Sequence, residues 1–307
     1  YDEHNSEVRD EGVIIFNSNE FQLEGDSRGF GLPFDEIARS TGNNRAANMV
    51  IIGALAHLVD MPQQYLEEFV TKRFTRGRSG DEEIIRSNIQ AMTLGREHIS
   101  ESGLALGALA APNPPDFAQI MLKGNEALAL GALAGGLDFY VGYPISPATT
   151  ILLYMERNLV GEGKFAHQVS SEIESITAIL GAGFAGKKAM TATAGPGFSL
   201  MSEGLGLGWI AEIPLVVVDV QRGGPATGLP TKTEQSDLMA CMFPAHGDVK
   251  MPIIAVGTVE ECFYGAIKAL TWSERYQGPV ILMTEMALAE RVQNMAKPDL
   301  SQVEDQR

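Results

Sequence analysis

The sequence predicts an α/β protein: a parallel sheet with helices on both faces, preceded by part of a smaller α/β unit. Three observations carry this. The run 215–220, LVVVDV, is apolar except for Asp219 and rich in Val, which suits a parallel strand covered on both sides. From residue 117 onward, apolar runs of strand length alternate with stretches of helix length. Ahead of that alternation, residues 110–116 read AAPNPPD, whose three Pro break any regular element. The domains that follow are 1–110, a linker at 111–116, and 117–307.

The elements can be taken in order. A short apolar strand is expected at 13–16. Asn43 can cap a helix over 45–59, and Asp60-Met61-Pro62 opens another over 63–74. A third helix runs from Asp81 to about residue 100. In the second domain a helix at 117–135 precedes a strand at 138–143. Ser146 is a natural N-cap and Pro147 suits the first position of a helix ending at 158. Strand 166–169 leads into helix 172–186, and strand 189–193 into helix 198–211. After strand 215–220 come a long loop and a short helix from Ser236. Strand 252–256, helix 259–275 and strand 279–284 complete the alternation.

Composition bounds the partners. With 45% hydrophobic and 20% charged residues, the chain is of ordinary globular type. A net charge of −16 argues against nucleic acid and anionic membranes, which need a cationic surface. It also means that a site for an anion must gather its own cations locally. Cys241 and Cys262 have neither CxxC spacing nor a neighbouring ligand cluster, so no metal site, structural zinc or iron–sulfur cluster is expected within this chain. Two scattered thiols suit a reducing compartment, no run approaches a membrane span, and no signal peptide opens the chain. A cytoplasmic location is the expectation.

Chemistry is expected where strands end. Arg222 follows the 215–220 strand and opens a loop with three Gly and two Pro between 223 and 230. Ligands of open α/β sheets bind at that edge, and an Arg there can hold a carboxylate or phosphate with two parallel hydrogen bonds. The plainer alternative is a surface cation beside a flexible loop. At the 166–169 junction two carboxylates compete. Ser171 and Glu174 have capping-box spacing, which folds Glu174 back on the helix start and leaves Glu172 free as the first helical residue. Glu172 could instead merely complement the helix dipole. TAGPG at 193–197 is either a pocket floor or a plain helix-entry turn. His246, in AHGDV, is a proton carrier or an ordinary loop residue. Lys72, Arg73, Arg76 and Arg78 cluster at a helix end, where cations are favoured in any case.

Four segments in order resemble one family. DFYVGYPISP from Asp138, FAHQVSSEIES from Phe165, KKAMTATAGPG from Lys187 and QRGGPATGLPT from Gln221 look like the alpha subunit of thiamine-diphosphate-dependent 2-oxoacid:ferredoxin oxidoreductases, in its pyrimidine-binding domain. The resemblance spans 124–292. Residues 12–99 are similar to the carboxyl half of the family's gamma domain, fused ahead of the alpha part.

The resemblance implies an activity: oxidative decarboxylation of a 2-oxoacid with coenzyme A, giving acyl-coenzyme A, CO2 and reduced ferredoxin. It implies that Glu172, which follows a Ser as the family's catalytic glutamate does, serves the aminopyrimidine of the cofactor. Tyr143, Pro144, Ile145, Gly195 and Pro196 would line the cofactor. Arg222, in a pattern QR-x-GP-x-TG-x-PT that 221–231 fit throughout, would hold the substrate carboxylate, with Ser146 and Thr227 beside it. The family more typically reads YPITP, so Ser146 keeps the hydroxyl and loses the methyl. The gamma-like cations Lys72, Arg73 and Arg76 would meet coenzyme A phosphates.

The GDG motif with downstream Asn that anchors the metal and diphosphate is absent. Mg2+ and a [4Fe-4S] cluster are therefore expected in a beta subunit, with thiamine diphosphate shared across an αβ or (αβ)2 assembly and ferredoxin as acceptor. The family's upstream Gly-rich motif and its later alpha-subunit domain are missing too, so a piece of a longer polypeptide is expected. The fused order and the QRGGPATGLPT form look most like 2-oxoglutarate enzymes. Two alternatives stand beside this: a non-redox thiamine enzyme of transketolase or decarboxylase type, and a non-catalytic nucleotide-binding α/β module. The gamma-like segment and the Arg222 loop count against the first, and the lack of a complete GxGxxG loop against the second.

Overall fold

A computed structural model describes residues 4–110, 113 and 115–301, and its contacts divide the chain into two units, Tyr1–Pro114 and Pro115–Arg307. Of the expected linker, 111–116, residues 111, 112 and 114 lie outside the described residues.

The first unit pairs β1 (Ile14–Asn17) in parallel with β2 (Gly29–Leu32) and packs four helices beside them. These are α1 (Phe34–Ser40), α2 (Ala47–Leu58), α3 (Gln63–Phe74) and α4 (Asp81–Glu101). β2 and α1 are additions to the expected elements. β2 reads GFGL, too short and Gly-rich to give a strand signal, and it forms because β1 supplies the partner. Asn43 does not cap α2. Its Oδ1 accepts from Arg45 N–H at 3.1 Å in a local turn, and the N-cap position belongs to Ala46. α2 and α4 touch backbone to backbone: a Cβ on Gly53 would stand 1.9 Å from the Met92 carbonyl oxygen, and one on Gly95 2.1 Å from that of Val50. Leu32, Val50, Ala54, Val70, Met92 and Ile99 fill the core around that crossing.

The second unit is built on six parallel strands in the order β5-β4-β6-β7-β9-β8. They are β4 (Phe139–Gly142), β5 (Phe165–Gln168), β6 (Ala189–Thr193), β7 (Leu215–Gln221), β8 (Ile253–Ala255) and β9 (Pro279–Glu285). Among the described residues eight helices belong to the unit: α5 (Gly124–Ala134), α6 (Thr149–Asn158), α7 (Glu172–Phe184), α8 (Gly195–Ser199), α9 (Ser202–Ile210), α10 (Leu238–Met242), α11 (Val259–Tyr276) and, after the last strand of the six-stranded sheet, α12 (Met286–Glu290). Three of them, α8, α10 and α12, are only five residues long. On one face Val216, Val218 and Val220 of β7 pack with Leu128 of α5, Ile151 of α6 and Phe263 of α11. On the other, Leu215 and Val217 pack with Ile176 of α7, Phe198 of α8 and Leu205 of α9. β7 is buried along its whole length, as its unbroken apolar run predicts.

Three expectations are corrected here. The helix expected over 117–135 is a strand, β3 (Gln119–Lys123), followed by α5. β3 pairs antiparallel with β10 (Val292–Ala296), a partner too distant in sequence to leave a local signal. The helix expected over 198–211 is broken into α8 and α9. Helix α6 starts at Thr149 with Ala148 in the N-cap position, so Ser146 caps nothing and sits in the preceding turn, where its peptide bond to Pro147 is cis.

Candidate active site

The strand order places a crevice. The chain runs from β4 outward to β5, then crosses back so that β6 lies on the other side of β4. Ligands of doubly wound sheets bind outside the carboxyl ends of the strands at such a reversal. Four loops gather there: 143–148 after β4, 169–171 after β5, Ala194 after β6, and the 222–237 loop after β7.

Ser171 accepts Glu174 N–H at 3.1 Å and so caps α7. The Glu174 carboxylate folds back, though to Ser170 rather than Ser171, taking its N–H at 2.7 Å and its hydroxyl at 2.6 Å. The Ser170 hydroxyl, followed by its N–H, holds that carboxyl below the usual range. Glu172 is left over, and it is buried, only 6% exposed. It lies over the turn after β6: a Cβ on Gly197 would come within 2.5 Å of Glu172 Oε1 and 2.1 Å of Thr193 Oγ1. Among the described residues its carboxylate meets no hydrogen-bond or ion-pair partner. A buried carboxylate that lacks a donor is costly, so one is expected to meet a donor that the chain does not supply.

Arg222 is buried, 5% exposed. Its Nη1 donates to the Ser146 carbonyl at 2.6 Å and its Nη2 to the Thr227 carbonyl at 2.8 Å, while Nε has no partner. The residue therefore ties the 143–148 turn to its own loop and keeps unassigned N–H groups. The loop is ordered by Gly223 N–H to Lys232 O at 2.8 Å and by Gly224 N–H to the Glu234 carboxylate at 2.8 Å. A cavity of about 710 Å³ is lined by Arg222, Thr227, Gly195, Pro196, Glu234 and Asp237 among others.

Of the expected site residues, the structure brings Arg222, Thr227, Gly195 and Pro196 to this one cavity. Ser146 joins through its carbonyl, and Glu172 through Gly197 on the same turn as Gly195 and Pro196. Tyr143 is 40% exposed, and Pro144 and Ile145 lie half-buried beside it on the β4 turn. His246 is exposed on a bend and makes no described contact. In the first unit, Lys72 and Arg73 stand exposed on the last turn of α3. Arg76 lines a separate cleft of about 500 Å³ with Arg45, Asn43, Asn48, Phe74 and Ser87.

Sequence reasoning passed over two groups. Asn125 is fully buried and donates to the Pro147 carbonyl at 3.0 Å and the Thr150 hydroxyl at 2.7 Å, which fixes the 143–148 turn from below. A lone Asn in the Ala/Leu-rich start of α5 was its only signal. Asp237 lines the cavity, and nothing in its local sequence marks it. Cys241 and Cys262 are buried free thiols, and burial pushes Cys262 up to about 12.

Fold and site together define a doubly wound α/β domain whose crevice brings together Glu172, beyond the end of β5, and Arg222, beyond the end of β7. Residues 130–307 match the model of the pyruvate flavodoxin/ferredoxin oxidoreductase family, thiamine-diphosphate-binding domain, and residues 1–98 match a second model described as pyruvate ferredoxin/flavodoxin oxidoreductase. The chain belongs to this family of oxidoreductases.

Similar proteins include 2-oxoacid:ferredoxin oxidoreductase 2, subunit alpha, of Aeropyrum pernix, 34% identical over 94% of this chain and 48% of that protein. The 2-oxoglutarate synthase subunit KorA of Methanocaldococcus jannaschii is 46% identical over 53% of this chain and 45% of that protein. Among solved structures, 2-oxoglutarate:ferredoxin oxidoreductase from Magnetococcus marinus, with 2-oxoglutarate, coenzyme A and succinyl-CoA bound, superposes with a TM-score of 0.89 at 34% identity. That match covers 98% of this chain and 53% of the other. The chain thus spans about half the length of the relatives it matches. Among the described residues, no helix is long and apolar enough to cross a membrane.

Proposed function

We propose that this chain supplies one half of the active site of a 2-oxoacid:ferredoxin oxidoreductase. The reaction is the oxidative decarboxylation of a 2-oxoacid, 2-oxoglutarate favoured, with coenzyme A to acyl-coenzyme A, CO2 and reduced ferredoxin. The observation that carries the reading is the placement of a buried, donor-less Glu172 and a buried Arg222 around one turn, 194–197, at the reversal of the sheet. The substrate, the acceptor and the partner are drawn from what the relatives are named for and from the motifs.

The residues present fit thiamine diphosphate. A carboxyl group without a donor suits a ring nitrogen that carries or takes a proton, and Glu172 is such a group. Tyr143, Pro144 and Ile145 on one side and Gly195 and Pro196 on the other would line the ring. When bound, the cofactor supplies the nucleophilic carbon and the electron sink for decarboxylation. The chain's own part is positional and electrostatic. Glu172 holds a proton at the aminopyrimidine nitrogen, and the absence of a competing donor keeps it available. Arg222, already fixed by two carbonyls, turns its remaining N–H groups to the 1-carboxylate, the group lost as CO2. The Ser146 hydroxyl and Thr227 flank that carboxylate.

A beta subunit is proposed to hold Mg2+, the diphosphate and a [4Fe-4S] cluster, in an αβ or (αβ)2 assembly. For coenzyme A, Arg76 and Arg45 across one cleft, with Lys72 and Arg73 nearby on α3, are candidates for its phosphates. The test is to purify the native complex containing this chain and assay viologen reduction with a panel of 2-oxoacids, with and without coenzyme A. Reduction that depends on both co-substrates supports the reading. Reduction independent of coenzyme A, or none with any 2-oxoacid, overturns it.

A further inference from the structure

At the cavity floor a buried carboxyl group, Asp219, faces a half-buried one, Asp237, and neither takes part in the chemistry above. β7 sends alternate side chains to opposite faces of the sheet. Leu215 and Val217 lie on the face that carries Cys241 of α10, so the same period brings Asp219 and Gln221 to that face. Asp219 is fully buried. The Cys241 thiol donates to its Oδ2 at 3.5 Å, and its Oδ1 lacks a donor.

Asp237, just before α10, meets Asp219 side chain to side chain. Its Oδ2 is buried and also lacks a donor. Its N–H donates to Gln221 Oε1 at 3.1 Å, and its Oδ1 accepts from the Ser236 hydroxyl at 3.3 Å. Beneath it lies Gly195, where a Cβ would come within 2.7 Å of Oδ2. The 222–237 loop is thus pinned at its far end to the strand from which it starts.

Two carboxyl groups in contact, each with a buried oxygen short of a donor, cannot both be charged cheaply. A single proton between them satisfies both oxygens and removes the repulsion. Burial, followed by the charge of Asp237, pushes Asp219 up to about 8, and burial pushes Asp237 upward as well. The surroundings offer little else. Neighbouring strands place Thr193 and Met283 in register with Asp219, neither of them charged. α10 presents the Cys241 thiol, which is itself raised by burial. The loop presents Glu234, whose charge also raises Asp237, and across the cavity stands Arg222.

We propose that Asp219 and Asp237 share one proton and act as positioning residues: while protonated, the pair fastens the 222–237 loop to the sheet and holds Arg222 in place for the substrate carboxylate. The proposal rests on the reading of Arg222 as carboxylate anchor. Loss of the proton sets two charges against each other and adds a negative charge to the wall of an anion site. Both effects weaken substrate binding, and neither alters bond making.

The test uses the purified complex. With coenzyme A saturating, KM for 2-oxoglutarate is measured from roughly pH 6.5 to roughly pH 9.5, for wild type, Asp237→Asn and Asp237→Ala. Wild-type KM is expected to climb about tenfold per pH unit above the ionisation, with kcat steady. Asp237→Asn carries a permanent donor, so the alkaline climb disappears. Asp237→Ala leaves Asp219 without that donor, and KM is raised at every pH. An alkaline climb in Asp237→Asn equal to that of wild type, or an unchanged KM in Asp237→Ala, overturns the proposal.

A second readout is independent of turnover: trypsin cleavage after Lys232, in the exposed loop, scaled to cleavage of a free peptide at the same pH. It should rise with pH in wild type, stay low in Asp237→Asn and be high throughout in Asp237→Ala. Equal cleavage in all three overturns the clamp. If the complex oxidises no 2-oxoacid yet shows this pattern, the Arg222 reading fails and the clamp stands.

Discussion

Arg222→Lys separates the loop tie that the structure shows for this side chain from the substrate role proposed for it. The guanidinium spans the Ser146 carbonyl at 2.6 Å and the Thr227 carbonyl at 2.8 Å, from a position only 5% exposed. An ammonium keeps the charge but is a single point, so it can serve one carbonyl well or the substrate well, and it has no planar two-pronged face. A hydrogen bond involving a charged group contributes about 1.5–3 kcal/mol. At ~1.4 kcal/mol per decade, one lost bond corresponds to about one to two decades in kcat/KM. The assay is kcat/KM for 2-oxoglutarate and pyruvate in the assembled complex, with thermal unfolding followed in parallel. Both substrates should lose activity alike, because both carry the 1-carboxylate, and the unfolding midpoint should fall because two loops lose their tie. A strong discrimination between the substrates would move Arg222 to the distal end of the pocket. A lowered midpoint with unchanged kcat/KM for both would leave Arg222 as a loop tie alone and refute its substrate role.

Three further outcomes follow from the same geometry. Glu172→Gln should fold normally and lose about 10²–10⁴-fold in turnover, whereas Glu174→Gln should remain active; the reverse result would exchange their roles. Gly197→Ala places a Cβ 2.1 Å from Thr193 Oγ1 and 2.5 Å from Glu172 Oε1, so it should displace the carboxylate and lower turnover. The overpacking should also cost roughly 1–3 kcal/mol in unfolding experiments, and wild-type turnover in that variant would detach Glu172 from the site. Because Asp219 is raised from the ordinary 3.8 to about 8, the folded chain keeps a proton that the unfolded chain has released. The associated stability is fully present below about pH 3.8 and is lost as pH rises through about 8. Asp219→Asn should remove that part of the slope in thermal unfolding, and an unaltered slope would show that Asp219 does not hold the proton.

What the sequence determined by itself was local or nearly so. The run of β7, apolar but for Asp219 up to Val220, demanded cover on both faces, and it has it. The spacing of Ser171 and Glu174 is enough to set Glu174 apart from Glu172, because capping is settled within one helical turn. The order of four strand-end motifs placed the crevice, since each lies a residue or two from its strand.

Tertiary structure decided whatever depends on partners far along the chain. β3 exists because Val292–Ala296 lies beside it, and nothing in QIMLK reads as strand rather than helix. Ser146 looked like a cap, but what engages it is Arg222, 76 residues on, through its carbonyl and not its hydroxyl. Asp219 was legible only as an oddity in an apolar strand. That it meets Asp237, with Cys241 on its other oxygen, follows from the path of a loop that closes on its own starting strand. Helix caps and buried runs are written in neighbouring residues, whereas the burial of a charge and the identity of its partner are set by the packing of segments that the sequence keeps apart.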